Sequence, residues 1–214
     1  MKLQKTLTAL AVASALTFAT TATANTNFAE QKFRLDTNLG FKVSNFSVKD
    51  SNEHLNAGSF QLNLAGHYFV FNNGAVALGL GAELGGSVGR YTIGSPNNHF
   101  SSETYTSSDT TNTSRRYSDY NAGLSLLAAF HVEKSTFTPY VQFSVGYQNA
   151  QFRVNKTTEK FRGVYTKLGA GVSWSNGFTA GAYVSLAPSQ SLANSSDKTK
   201  ATAYTVGAQF GWKF

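Results

Sequence analysis

The stretch Ala201–Phe214, reading ATAYTVGAQFGWKF, constrains the fold more than any other part of the chain. Every second residue from Tyr204 is apolar: Tyr204, Val206, Ala208, Phe210, Trp212 and Phe214. Between them stand Thr205, Gly207, Gln209, Gly211 and Lys213. Successive side chains of a strand point to opposite faces, so this spacing predicts a strand with one apolar, aromatic-ended face and one small or polar face.

The same period recurs seven times upstream, punctuated by turn chemistry. The predicted strands are Phe33–Val43, Ser59–Phe71, Ala75–Tyr91, Tyr117–Val132, Phe137–Gln148, Phe161–Trp174 and Phe178–Leu186. In the clearest, Val76, Leu78, Leu80, Ala82, Leu84 and Val88 alternate with Ala77, Gly79, Gly81, Glu83, Gly85, Ser87 and Gly89. Asn72-Asn73-Gly74, Glu133–Thr136 and Ser175-Asn176-Gly177 predict tight turns, since Asn and Gly tolerate positive φ. The other connections, including Thr92–Arg116, Asn149–Lys160 and Ala187–Lys200, are polar and expected to be long. Connections therefore alternate long and short around an even strand number, which places both ends of the domain on the short-turn side.

Two features bound where such a chain works. Lys2 and Lys5 precede a mostly apolar, small-residue run ending in Ala22-Thr23-Ala24, the pattern of a cleaved secretory signal over residues 1–24. The expected mature domain is then 25–214. The chain has no cysteine, so neither a disulfide framework nor a thiolate metal site is available. Its formal charge of +7 is basic, but export argues against a nucleic-acid partner.

A soluble eight-stranded barrel shows the same alternation, with its apolar face turned inward. The polar face decides between the two. It is dominated by Gly, Ala, Ser, Asn and Gln rather than the dense charge of a soluble exterior, and those residues suit a narrow barrel interior. Phe33, Tyr68, Phe130, Phe137, Trp174, Phe178 and Trp212 cluster at the short-turn end like an interfacial girdle.

Taken together, strand count, turn pattern, signal and terminal aromatic resemble the small eight-stranded outer-membrane barrels: the outer-membrane protein A transmembrane domain, outer-membrane protein X and the opacity-type surface proteins. The resemblance implies an all-β, eight-stranded antiparallel up-and-down transmembrane barrel in the outer membrane. It also implies that Tyr204, Phe210, Trp212 and Phe214 form the signal read by the barrel-assembly machinery.

Three function classes follow. Long polar loops point to surface interaction, adhesion to a host-cell or serum ligand, or envelope integrity. Inward glycines point to a narrow passage for small solutes. A lipopolysaccharide-modifying enzyme would need a Ser activated by a nearby His. The close pair His99 and Ser101 sits in a Ser-rich loop, while His67 and His131 are expected to point into the lumen. No metal-ligand spacing or phosphate-binding Gly loop occurs, so neither cofactor nor catalytic residue is expected.

Two charged groupings remain. Glu83 is read as the one acidic residue in the middle of an inward face, with Lys167 and Lys42 counted to similar depth. Glu83 is expected to pair with one of them, with Tyr165 and Gln142 completing the hydrogen bonds. At the long-loop end, Arg90, Arg115, Arg116, Arg153, Lys156, Lys160, Arg162, Lys198 and Lys200 form a basic rim that lipopolysaccharide phosphates would suit.

Overall fold

The structure, a computed structural model, describes residues 31–49, 54–94, 115–154, 157–192 and 200–214. The expected signal (1–24) lies outside these residues, as do Lys156, Lys198, His99 and Ser101.

Eight antiparallel strands close on themselves in chain order. They are β1 (Phe33–Val48), β2 (His54–Asn72), β3 (Val76–Gly94), β4 (Arg115–Phe130), β5 (Phe137–Val154), β6 (Thr157–Trp174), β7 (Phe178–Leu192) and β8 (Lys200–Lys213). β8 closes the barrel against β1, with Asp36 opposite Lys213 and Val48 opposite Ala201. Backbone hydrogen bonds between Leu35 and Phe214 carry the pairing one residue further.

The short connections form as the sequence predicts. Asn73 Oδ1 accepts from the Ala75 and Val76 amides, and Asn176 Oδ1 from the Phe178 amide. Gly74 and Gly177 take positive φ, as does Lys134 in the remaining turn. His131 is a correction: it lies exposed after the end of β4, not in the lumen.

The strands run longer at the other end than the sequence indicates. Asn149–Lys160, expected as a polar loop, is mostly strand: β5 continues to Val154 and β6 begins at Thr157. The cause is a change of phase. Below this level the exterior is apolar, but here Asn149, Gln151 and Arg153 face out while Ala150 and Phe152 are buried inside. The period remains 2, yet the apolar set has switched faces.

Which face meets lipid follows from exposure. Leu124, Val88, Phe60, Leu84 and Val206 stand outside with more than half of their surface exposed, whereas Arg34, Lys42, Glu83 and Asp119 are buried inside. Along β5, Phe137, Val141, Phe143, Val145 and Tyr147 face outward. At strand rise and about 45° tilt that stretch covers roughly 24 Å, the height of an outer-membrane apolar band. Trp174, Phe178 and Trp212 pack together at the short-turn rim, with ring centroids 5.4 and 5.6 Å apart.

Candidate functional site

The lumen is built in three layers. Nearest the short-turn end, Phe69, Ala77, Leu127, Ala129 and Tyr140 form an apolar cluster. The Arg34 guanidinium lies 4.6 Å over the Tyr140 ring and forks onto Asp36 at 2.8–3.0 Å. At the loop end a larger cluster gathers Phe46, Tyr91, Tyr117, Phe152 and Phe161 with small residues between them. Phe152 meets Phe46 and Tyr91 edge-on at 4.9 and 5.0 Å between centroids.

Between these clusters lies a polar layer. Glu83 receives Lys167 at 2.5 Å and Gln142 at 2.9 Å on one oxygen, and the Tyr165 hydroxyl at 2.7 Å on the other. Lys42 is not part of this group. It sits 2.6 Å from Asp119, which also accepts from Tyr117 at 2.5 Å and Ser87 at 2.8 Å. Asp36 and Asp119 are both buried inward acids, which corrects the reading of Glu83 as the one central carboxylate.

The reason is barrel stagger, by which hydrogen-bonded rows climb from strand to strand. The row through Glu83 runs by Ala65 to Asp36, six positions from Lys42. The row through Asp119 runs by Ser87 and Gln61 to Gly40, two positions from Lys42. Lys167 likewise leads by Ser144 and Ser125 to Gly81, two positions from Glu83.

One further arrangement escaped the sequence reading because its members are distant in the chain. Ser125 Oγ lies 2.8 Å from His67 Nε2, and His67 Nδ1 lies 4.0 Å from Asp36. The order resembles a nucleophilic triad, but Gln142 holds Ser125 at 2.8 Å and the Arg34 fork holds Asp36. All three are buried, and the lumen cavity does not reach Ser125 or His67. The arrangement ties β1, β2, β4 and β5 together.

That cavity, among Lys42, Gln61, Glu83, Lys167 and Tyr183, has a volume of about 20 Å³. This is room for one or two waters, not for a solute. Tyr183 spans it by donating to Gln61.

On the outside, the register sorts the basic rim. Arg90, Arg116 and Arg153 occupy one row on β3, β4 and β5. Lys160 and Arg162 follow on β6, opposite Gln151 and Asn149, and Lys200 lies on β8 opposite Ser191. Arg115 is a correction: alternation puts it on the lumen side of the mouth, two residues from buried Tyr117. Tyr204, Phe210 and Trp212 project from β8 into the exposed apolar band, and Phe214 is half-buried at its end.

A closed eight-stranded barrel with aliphatic residues outside and paired charges inside is an integral outer-membrane barrel. The chain belongs to the outer membrane protein beta-barrel domain family, whose model matches residues 7–214. No significant match was found among curated protein sequences. Among solved structures, Neisserial surface protein A is 13% identical, with 83% of this chain and 95% of that one covered and a TM-score of 0.44. Ail, the attachment invasion locus protein of Yersinia pestis, is 15% identical over 86% and 100%, TM-score 0.39. The outer membrane enzyme PagL is 12% identical over 79% and 97%, TM-score 0.42.

Proposed function

We propose that this protein is a closed, non-conducting outer-membrane barrel that acts through its outer wall and extracellular end, in surface interaction or envelope integrity. One observation carries the reading: apolar clusters at both ends of the lumen bracket a polar layer whose cavity is water-sized. Passage of a solute would require displacing a cluster and breaking buried ion pairs, each strongly unfavourable when one partner is left behind. The outer surface, by contrast, is accessible and chemically varied. Purified barrel in planar bilayers is expected to stay silent at high protein load. Reproducible single-channel steps would defeat the reading in favour of a narrow passage. For the surface role, deletion of residues within 95–114 is expected to reduce binding to host cells while the barrel still folds, and undiminished binding would exclude that segment.

A further inference from the structure

The cavity between the two apolar clusters of the lumen is lined by polar groups. Lys42, Gln61, Glu83, Asn121, Gln148 and Lys167 all face it, and its volume is about 20 Å³. Gln61 and Gln148 are each only 6% exposed. Gln61 Oε1 accepts from the Tyr183 hydroxyl, which leaves Nε2 as the unpaired end, without a hydrogen-bond partner among the described residues. The Lys42–Asp119 and Lys167–Glu83 contacts each occupy one of an ammonium's three donors. Buried donors left without an acceptor are uncommon and destabilising. Cavities that stay empty are apolar, and this one is not.

Charge and size select the guest. Each lysine has its own carboxylate, so the four charges sum to zero. A chloride would add an uncompensated charge to a buried site, and a metal cation would meet two ammonium groups. Water brings no charge and offers both an acceptor and two donors. Its oxygen suits Gln61 Nε2 and the remaining ammonium hydrogens, and its hydrogens suit the carboxamide oxygens of Gln148 and Asn121. One buried water needs roughly 10–15 Å³ and two to four polar partners, so the space holds one or two.

The position of the cavity gives such water a role. Glu83 is bonded by Lys167, Gln142 and Tyr165, and Asp119 by Lys42, Ser87 and Tyr117. The two sets have no member in common, yet both lysines face the same cavity. We propose that the cavity is a site for one or two ordered waters, held by Gln61 and Gln148, that join the two ion pairs into a single hydrogen-bonded layer. This goes beyond the closed-barrel reading, which needs a small cavity but not an occupied one.

The test uses the full barrel in phosphatidylcholine bilayers and solid-state magnetic resonance, following transfer of magnetisation from water to individual side chains. The Gln61 and Gln148 amides are expected to receive it several-fold faster than Leu127 and Phe152, which lie in the two apolar clusters. Equal rates at all four overturn the site. Crystals grown in bromide separate water from an anion: density without an anomalous signal supports water, and an anomalous peak in the cavity overturns it. Gln148→Met puts an apolar chain of similar length into the site and is expected to cut the Gln61 rate to the level of the clusters; an unchanged rate overturns the part given to Gln148. The ammonium resonances of Lys42 and Lys167 are both expected to shift in that variant, and a shift at one alone overturns the joining role. Heat-modifiable electrophoretic migration verifies folding, and Gln61→Met, read at Gln148, replaces a variant that does not fold. Channel activity is measured separately, so hydration of the lumen and closure of the barrel fail independently.

Discussion

The Lys167 ammonium lies 2.5 Å from a Glu83 carboxylate oxygen across the lumen, joining β6 to β3. Both groups are at least nine-tenths buried. Their pairing therefore does less to raise stability than its loss would do to lower it, because either partner alone would be a buried uncompensated charge. Glu83→Gln is expected to cost about 3–5 kcal/mol. The readout is the urea midpoint of the heat-modifiable folded band. Glu83→Gln combined with Lys167→Met is expected to regain most of that loss, and a double variant no more stable than Glu83→Gln would contradict the electrostatic account.

The aromatic cluster at the loop end supports a different prediction. Phe152 is 2% exposed and touches Phe46, Tyr91, Tyr117 and Phe161. Truncation to Ala would remove a ring that its neighbours cannot fully replace, at a cost of about 3–5 kcal/mol. Phe143→Ala provides the contrast, since that ring is 43% exposed in the apolar band. Similar destabilisation of both variants in urea would mean that the upper lumen is not a packed core.

The eight strands, their turns and the facing of their central residues were legible because lipid outside and a filled lumen inside impose a strict period of 2. Gln61 and His67 inside, against Phe60 and Tyr68 outside, illustrate it. The strand ends at the loop side were not legible, since there the exterior meets water. Phe152 and Phe161 turn in where Phe143 and Leu168 turn out, so continuous strand reads as irregular polar sequence. The Glu83 cluster was assembled from inward positions and approximate depth. Lys42 could not be placed that way, because its partner depends on the stagger at closure, which counting along single strands does not supply. The Ser125–His67 contact and the arginine row likewise arise from cross-strand register.

Glycines of the barrel wall differ sharply in what a methyl group would meet. A Cβ at Gly207 would run into the Tyr183 ring, which donates to Gln61 across the lumen. A Cβ at Gly58, on the outer side of β2, would meet nothing within 4 Å. Gly207→Ala is expected to destabilise by about 1–3 kcal/mol, the range for overpacking, while Gly58→Ala stays within about 0.5 kcal/mol of the parent, as exposed sites do. Matched urea titrations compare them. Equal midpoints would show that Tyr183 moves aside at no cost.

The closing strand separates stability from assembly. Phe214 exchanges backbone hydrogen bonds with Leu35, at 2.8 and 2.9 Å, and these do not depend on its side chain. The ring is half-buried at the short-turn rim, where a polar replacement costs far less than at the membrane midplane. Phe214→Asp is therefore expected to leave the urea midpoint of refolded barrel within about 1 kcal/mol of the parent. If Tyr204, Phe210, Trp212 and Phe214 form the signal that the resemblance implies, the same variant falls several-fold in outer-membrane yield, with the shortfall recovered as unfolded chain. Quantifying heat-modifiable barrel in membrane fractions decides it: normal yield sinks the assembly role, and low yield together with a lowered urea midpoint assigns Phe214 to barrel stability instead.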